Sequence, residues 1–304
     1  MTIPIRLLLL LSFICATVSL GAANPTLRPI KVAVLDFGAT DTGQRVTEKI
    51  GRVLSSNVDL SIIDRAESVP AARGVGYAGS LNLTLEEARD LGAAIGCEFY
   101  LIGDAQTLRR SSSSRVVYYE SYASIFIVSA RTGRLITWER PSFEATSLIE
   151  AEELLMLDVT QSTSRYVKVI HTAETKERNE RELSLTANTP VIEDVPDETT
   201  PQAKGLRLPQ PYRRLRPQYP DSASRAEAVA TVDVLVDLDA EGEVGQVEVV
   251  RWAGFGLDEE TVNTVRRMHF RPAMRDGVPI PMRVLLRYNF SRPKKQKADE
   301  GKPV

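Results

Sequence analysis

Ala228, Ala230, Val232, Val234, Val236 and Leu238 fall on every second position, with Asp233, Asp237 and Asp239 on the opposite parity. Successive side chains of a strand leave opposite faces, so this alternation demands a half-buried strand and rules out a helix over the same residues. Asp239-Ala240-Glu241-Gly242 turns the chain, and Val244 to Val250 returns as the hairpin partner. Leu257 to Met268 then reads as a helix, with Leu257, Thr261, Val262, Val265 and Met268 near one face and Asp258-Glu259-Glu260 at its amino end. After Phe270 and Pro272-Ala273, Asp276-Gly277 supplies a second turn. A last strand alternates through Ile280, Met282, Val284, Leu286, Tyr288 and Phe290 against Arg283, Arg287 and Asn289. The expected unit is a small α+β domain of order ββαβ over residues 217–290.

The preceding sequence alternates strands with helices. Lys31 to Phe37 reads as a buried strand, and Gln44 to Ser56 as a helix burying Val46, Ile50, Val53 and Leu54. Leu60 to Asp64 is a second strand. Thr84 is placed to cap a helix through Leu85, Ala88, Leu91 and Ile95, with Glu86 and Glu87 in its first turn. Phe99 to Gly103 is a third strand. Val116 to Val128 and Leu135 to Glu139 form a hairpin around Arg131-Thr132-Gly133-Arg134, and a helix from Ser147 to Val169 closes the region. The pattern predicts an α/β domain over residues 30–171, a mixed sheet with flanking helices.

Two resemblances follow from these residues. Val32-Ala33-Val34-Leu35-Asp36-Phe37, Ile62-Ile63-Asp64-Arg65, the stretch Ala93 to Gly103, and Thr132-Gly133 before Trp138 resemble the α/β domain shared by CsgG-like proteins, LpoB and the TolB amino-terminal domain. That resemblance implies an assembly or interaction module. Tyr219-Pro220, Asp239 to Gly242, Leu257-Asp258, Phe270-Arg271-Pro272-Ala273, Asp276-Gly277 and Phe290 resemble the TonB carboxyl-terminal domain. In that family, an extended peptide from an outer-membrane transporter adds to the sheet, and force reaches it from an inner-membrane motor. The resemblance implies a TonB family envelope protein associated with transmembrane transport, binding an outer-membrane transporter or another envelope protein. It places Arg216, Pro217, Gln218, Tyr219 and Pro220 near the peptide. Arg216 stands where the well-known version has Gln, and Ala228 where many relatives have Gly. Exposed strand edges also make a homodimer an open alternative.

Arg6, the apolar run Leu7 to Leu20 and the small residues Gly21-Ala22-Ala23 form a secretory signal over residues 1–23, which implies a periplasmic location. If the segment is instead retained, it becomes an inner-membrane anchor and the chain an energy transducer. The run is short of the ~20 residues that cross a bilayer and has no histidine. Cys15 lies inside it, which argues against a lipoprotein. Residues 172–216 read as a charged, then Thr- and Pro-rich linker, with Glu174 to Glu182 as a solvated helix end and Thr189 to Pro201 as a disordered acidic tether; residues 291–304 read as a disordered polar tail.

Several function classes fall away. A net charge of −2 gives no basic surface for nucleic acid. Only Cys97 lies beyond the signal, and the chain has 2 histidines, so no disulfide framework or His/Cys metal cluster is expected. Gly38 to Arg45 follows a strand and opens a helix, but it has Gln44-Arg45 where a phosphate loop has Lys then Ser or Thr, so it reads as a polar turn. Asp36 and Asp64 read as turn or cap residues. We expect no catalytic residues, metal or cofactor, and hence no enzyme.

Overall fold

The computed structural model describes residues 28–111, 117–186, 192–196 and 204–292. The signal segment 1–23 and the tail from residue 293 onward lie outside the described residues.

The α/β domain is built from β1 (Ile30–Val34), α1 (Asp41–Ser55), β2 (Leu60–Ile62), α2 (Arg65–Gly74), α3 (Leu85–Ile95), β3 (Phe99–Arg110), β4 (Tyr118–Ser129), β5 (Leu135–Glu139), β6 (Ser142–Ala145) and α4 (Leu148–Thr186). Strand order is β2-β1-β3-β4-β5, with β6 pairing the other end of β4. The first three strands run parallel and β4 turns the sheet antiparallel. Because alternate side chains of each strand point to opposite faces, this sheet carries two cores. Val32, Val34, Leu101, Ile125 and Ile127 pack against Val46, Ile50 and Leu54 of α1 and Leu155, Val159, Tyr166 and Ile170 of α4. Ala33, Leu35, Tyr100, Ile102, Phe126 and Val128 face Ala72 of α2 and Ala88, Leu91 and Ile95 of α3.

Local signals account for the helix starts. The Thr84 hydroxyl accepts the Glu87 amide at 3.1 Å while the Glu87 carboxylate accepts the Thr84 amide at 2.7 Å, a reciprocal cap. Thr40 caps α1 by accepting the Gly43 amide at 3.0 Å, so the glycine-flanked stretch is a helix start. Asp64 caps α2 through the Ala66 amide at 2.9 Å, and Asp36 pairs with Arg65. Gly133 takes φ +72°, where a Cβ would lie 2.1 Å from the Leu85 carbonyl oxygen. That turn therefore requires glycine.

Two expectations change. Helix α4 runs on to Thr186, past the expected end at Val169 and through the charged stretch read as a solvated helix end. Glu174 pairs with Arg178 one turn on, and Glu177 is buried, accepting from Arg131 at 2.8 Å and from the Thr132 hydroxyl at 3.0 Å. These charges decorate a helix packed on the sheet. Helix α2, built on Arg65–Gly74 with Pro70 inside it, has weak apolar periodicity and was not expected.

The carboxyl-terminal unit contains β7 (Glu193–Asp194), β8 (Leu206–Arg207), β9 (Gln210–Pro211), α5 (Asp221–Ala226), β10 (Ala230–Leu238), β11 (Val244–Arg251), α6 (Leu257–Val265), β12 (Phe270–Arg271), β13 (Ala273–Arg275), β14 (Val278–Ile280) and β15 (Met282–Phe290). Its main sheet has the order β11-β10-β15-β7. Val232, Val234, Val236 and Leu238 are fully or almost fully buried with Leu257, Val265, Met268 and Phe270, so the ββαβ reading holds. The strip between α4 and this unit departs from a plain tether, since β7, β8 and β9 all pair with strands of the carboxyl-terminal unit. Residues 187–191 and 197–203 of the expected tether lie outside the described residues.

The opposite face of β10 is not simply solvated. Register sets Asp233 across from Arg287 and Asp237 across from Arg283. Arg287 grips Asp233 at 2.7 and 2.9 Å, and Arg283 grips Asp237 at 2.5 and 3.0 Å. Both aspartates are covered by these side chains. A one-residue slip would separate both ion pairs and turn the valines outward, so the ladder also locks the register.

The two domains are packed together instead of being held apart. The loop after β11 places Trp252, Ala253 and Phe255 in the core on the α2–α3 side of the first sheet. Trp252 stacks on Phe126 with centroids 6.0 Å apart, and Phe255 meets Phe126 at 5.4 Å and Trp138 at 5.5 Å. Phe255 holds φ +55° between Gly254 and Gly256, a conformation that costs energy and is kept by this packing. The Trp252 indole N–H donates to the Gly133 carbonyl at 2.9 Å.

Asn82 seals the junction. Its amide nitrogen donates to the Thr231 and Trp252 carbonyls at 2.8 and 2.6 Å, and its oxygen accepts the Thr231 amide at 3.0 Å. Replacing it with alanine leaves half-buried main-chain groups of both carboxyl-terminal strands without partners. At about 1–3 kcal/mol for each group left unsatisfied in a buried setting, N82A is expected to lower full-chain stability by about 2 kcal/mol in urea unfolding, and unchanged stability would show that Asn82 does not hold the junction.

Candidate functional site

An open sheet edge is the chemical asset of a ββαβ unit, because its outer amides and carbonyls need partners. The two edges of this sheet differ. On the β11 side, Thr84 bridges Arg251 and the Trp252 amide donates to the Leu83 carbonyl at 3.1 Å, so that edge is closed at its end by the first domain. On the β15 side, β7 pairs only with Met282 and Arg283, in parallel. Among the described residues, nothing pairs with the outer side of Val284 to Phe290. Leu285 stands exposed on this strand.

The margin near the start of β15 is cationic. Arg275, at the end of β13, binds both oxygens of Glu193 at 3.2 and 2.8 Å, and this contact holds the Glu193 carboxyl below its usual range. Arg283 and Arg287 line the outer face beside it. Their charges are engaged by Asp237 and Asp233, so the margin is a row of paired arginines.

The residues predicted to lie near a peptide separate into two groups. Tyr219 donates to the Ala223 and Ala228 carbonyls at 3.2 and 2.7 Å, and burial raises its hydroxyl pKa, reinforced by Glu227 and opposed by Arg292. Pro220 is the N-cap residue of α5. These two residues anchor the entry to the domain. Arg216 and Gln218 are exposed and Pro217 is half-buried on the extended approach to it. The approach runs by the far end of β15, where Arg214 acts on Tyr288 and Arg292 on Tyr219.

Arg275 and the acidic pair Glu193-Asp194 were not expected at the edge. A legible signal existed for the arginine ladder: Asp233 and Asp237 share the spacing of Arg283 and Arg287, with opposite charge, on two strands expected to be neighbours. His269 is exposed and sits 3.1 Å from Glu243. Burial pushes the Cys97 thiol up to about 12, away from the nucleophilic thiolate form. Among the described residues, no group of three or more His, Cys, Asp or Glu could hold a metal, and no helix is long and apolar enough to cross a membrane. A cleft of about 840 Å³ lies between β5, β6, α4 and α5, and two of its three arginines face its acids, Arg140 against Glu120 and Arg165 against Glu139.

The family of the Gram-negative bacterial TonB protein C-terminal matches residues 216–291. No curated protein matches the chain. Among solved structures, the TonB carboxyl-terminal domain of Pseudomonas aeruginosa is 18% identical, with 35% of this chain and 100% of that one covered and a TM-score of 0.26. The hypothetical protein CT253 of Chlamydia trachomatis is 12% identical over 46% of this chain and 95% of its own, with a TM-score of 0.33. The LpoB carboxyl-terminal domain of Salmonella enterica is 13% identical over 40% and 86%, with a TM-score of 0.28. Strands β10, β11 and β15, their covering helix and the approach segment from Arg216 thus lie within one family match, and the chain carries a TonB-like carboxyl-terminal domain.

Proposed function

We propose that this chain is a periplasmic envelope protein that binds an outer-membrane or other envelope partner by strand addition along Val284 to Phe290, as a binding module and not as a catalyst. The observation that carries the reading is the outer side of β15, unpaired over that stretch among the described residues while the opposite edge is closed at its end by the first domain. Main-chain hydrogen bonds would supply much of the affinity, and Arg216 and Gln218 would meet the partner where the approach passes the strand. A TonB-like domain suits an envelope setting. Its packing on the first domain favours a fixed receptor over a transducer reaching from an inner-membrane anchor; an amino terminus at Asn24 on intact mass would remove the transducer reading.

The test uses the periodicity of a strand. A photocrosslinker at Leu285 is expected to capture a discrete envelope protein in intact cells. Single prolines placed from Val284 to Tyr288 should then separate by parity. Those replacing outward amides weaken capture roughly fivefold, from about 1 kcal/mol per lost hydrogen bond, while the domain stays folded. Those replacing inward amides disturb pairing with β10. Capture unaffected by every folded proline variant would sink strand addition, and capture of a second copy would assign the edge to a homodimer.

A further inference from the structure

Residues 192–196 pair with the same edge strand, immediately before the stretch that the proposed binding uses. Strand β7 runs parallel to the start of β15, with Glu193 opposite Met282 and Asp194 opposite Arg283. Its first acid is fastened by both nitrogens of Arg275, and Asp194 adds to the negative field on Arg283 beside Asp237. We infer that this acidic segment is an in-cis guard: it occupies the first two positions of the β15 edge in the resting chain, and an incoming strand that runs the full length of the edge must displace it. The inference rests on the strand-addition reading for its consequence, and on β7 itself for its existence.

Three physical points favour a displaceable guard over a permanent strand. The pairing spans only 2 residues, so few main-chain bonds hold it. Its ion pair is exposed, and such pairs contribute little and weaken with salt. The segment is tethered to the same chain, so even this weak contact is sustained by an effective concentration in the millimolar range. A free edge strand invites unspecific pairing with other chains, and a short charged cover is one way to prevent it. The guard also implies a preference. A competing segment gains most if it runs in the same direction and brings a carboxylate to Arg275. The acids of the strip, Glu193 and Asp194, then act as a stand-in for that partner.

Occupancy of the competent state scales the apparent affinity, so a guard present nine-tenths of the time weakens partner binding about tenfold. The decisive variant replaces both acids, Glu193→Lys and Asp194→Lys, in the full exported chain. Hydrogen exchange of the amides from Met282 to Val284 is expected to quicken about tenfold, with the amides of β10 unchanged. A labelled peptide of residues 190–199 of this chain, followed by fluorescence anisotropy, is expected to bind the double variant about tenfold more tightly than the unaltered chain. Arg275→Glu should lose that binding, and 0.5 M salt should narrow the difference. Unchanged exchange at Met282 to Val284 would overturn the guard whatever any partner does. Quickened exchange with no peptide binding to any form would uphold the guard, and the photocrosslinking experiment alone would then judge strand addition.

Discussion

Trp252→Ala is expected to lower the stability of the full chain by about 3–5 kcal/mol, the usual range for removing a large buried aromatic. The indole is 2% exposed, stacked on Phe126 and hydrogen-bonded to Gly133. Against a total stability of about 5–15 kcal/mol for a typical domain, that loss decides whether the two domains stay docked. Urea unfolding followed by circular dichroism should change from one transition to two as the carboxyl-terminal unit separates. Trp252→Phe keeps most of the stack and loses only the donor, so about 1 kcal/mol is expected from it. Equal losses from both variants would mean that the hydrogen bond, not the packing, holds the junction. Neither variant should alter the β15 edge, which lies on the other side of the sheet.

The second large effect is a dependence on pH. Asp258, in the first turn of α6, accepts the Ala253 and Gly254 amides at 2.9 Å each and so fixes the loop that carries Trp252. Burial pushes its carboxyl up to about 7 from 3.8, against the pull of those two amides. Between these values the folded chain keeps a proton that the unfolded chain has released. The contribution is therefore fully present below pH 4 and is lost as pH rises through 7. The span corresponds to about 4 kcal/mol at 1.36 kcal/mol per pKa unit. Glu120 and Glu193 are shifted the other way, and their contributions are lost in acid, below the usual carboxylate range. Asp258→Asn isolates the effect, since it cannot ionise and keeps one acceptor. The stability of the unaltered chain relative to this variant should fall steadily between pH 4.5 and 8; a constant difference would place the proton elsewhere.

Elements whose stability is local were legible in the chain. The alternation through Val232, Val234 and Val236 and the Thr84 cap each depend on neighbours within a few residues. The resemblance put Arg216 to Pro220 near a peptide, and two of these residues, Tyr219 and Pro220, anchor the entry to the domain. Helix α2 and the short strands β7, β8 and β9 were not, because a strand of 2 residues has no period and exists only through its partner.

Sequence alone determined the long alternating strands, the periodic helices and that the terminal unit is TonB-like, since backbone preference and side-chain alternation are set residue by residue. Tertiary structure decided that the domains dock through Trp252 and Asn82, that Arg283 and Arg287 cover two aspartates, and that Glu193 reaches Arg275. Each of those contacts joins residues 46 to 170 positions apart. No local pattern encodes such a pairing, because its energy is realised only after the chain has closed the loops between them.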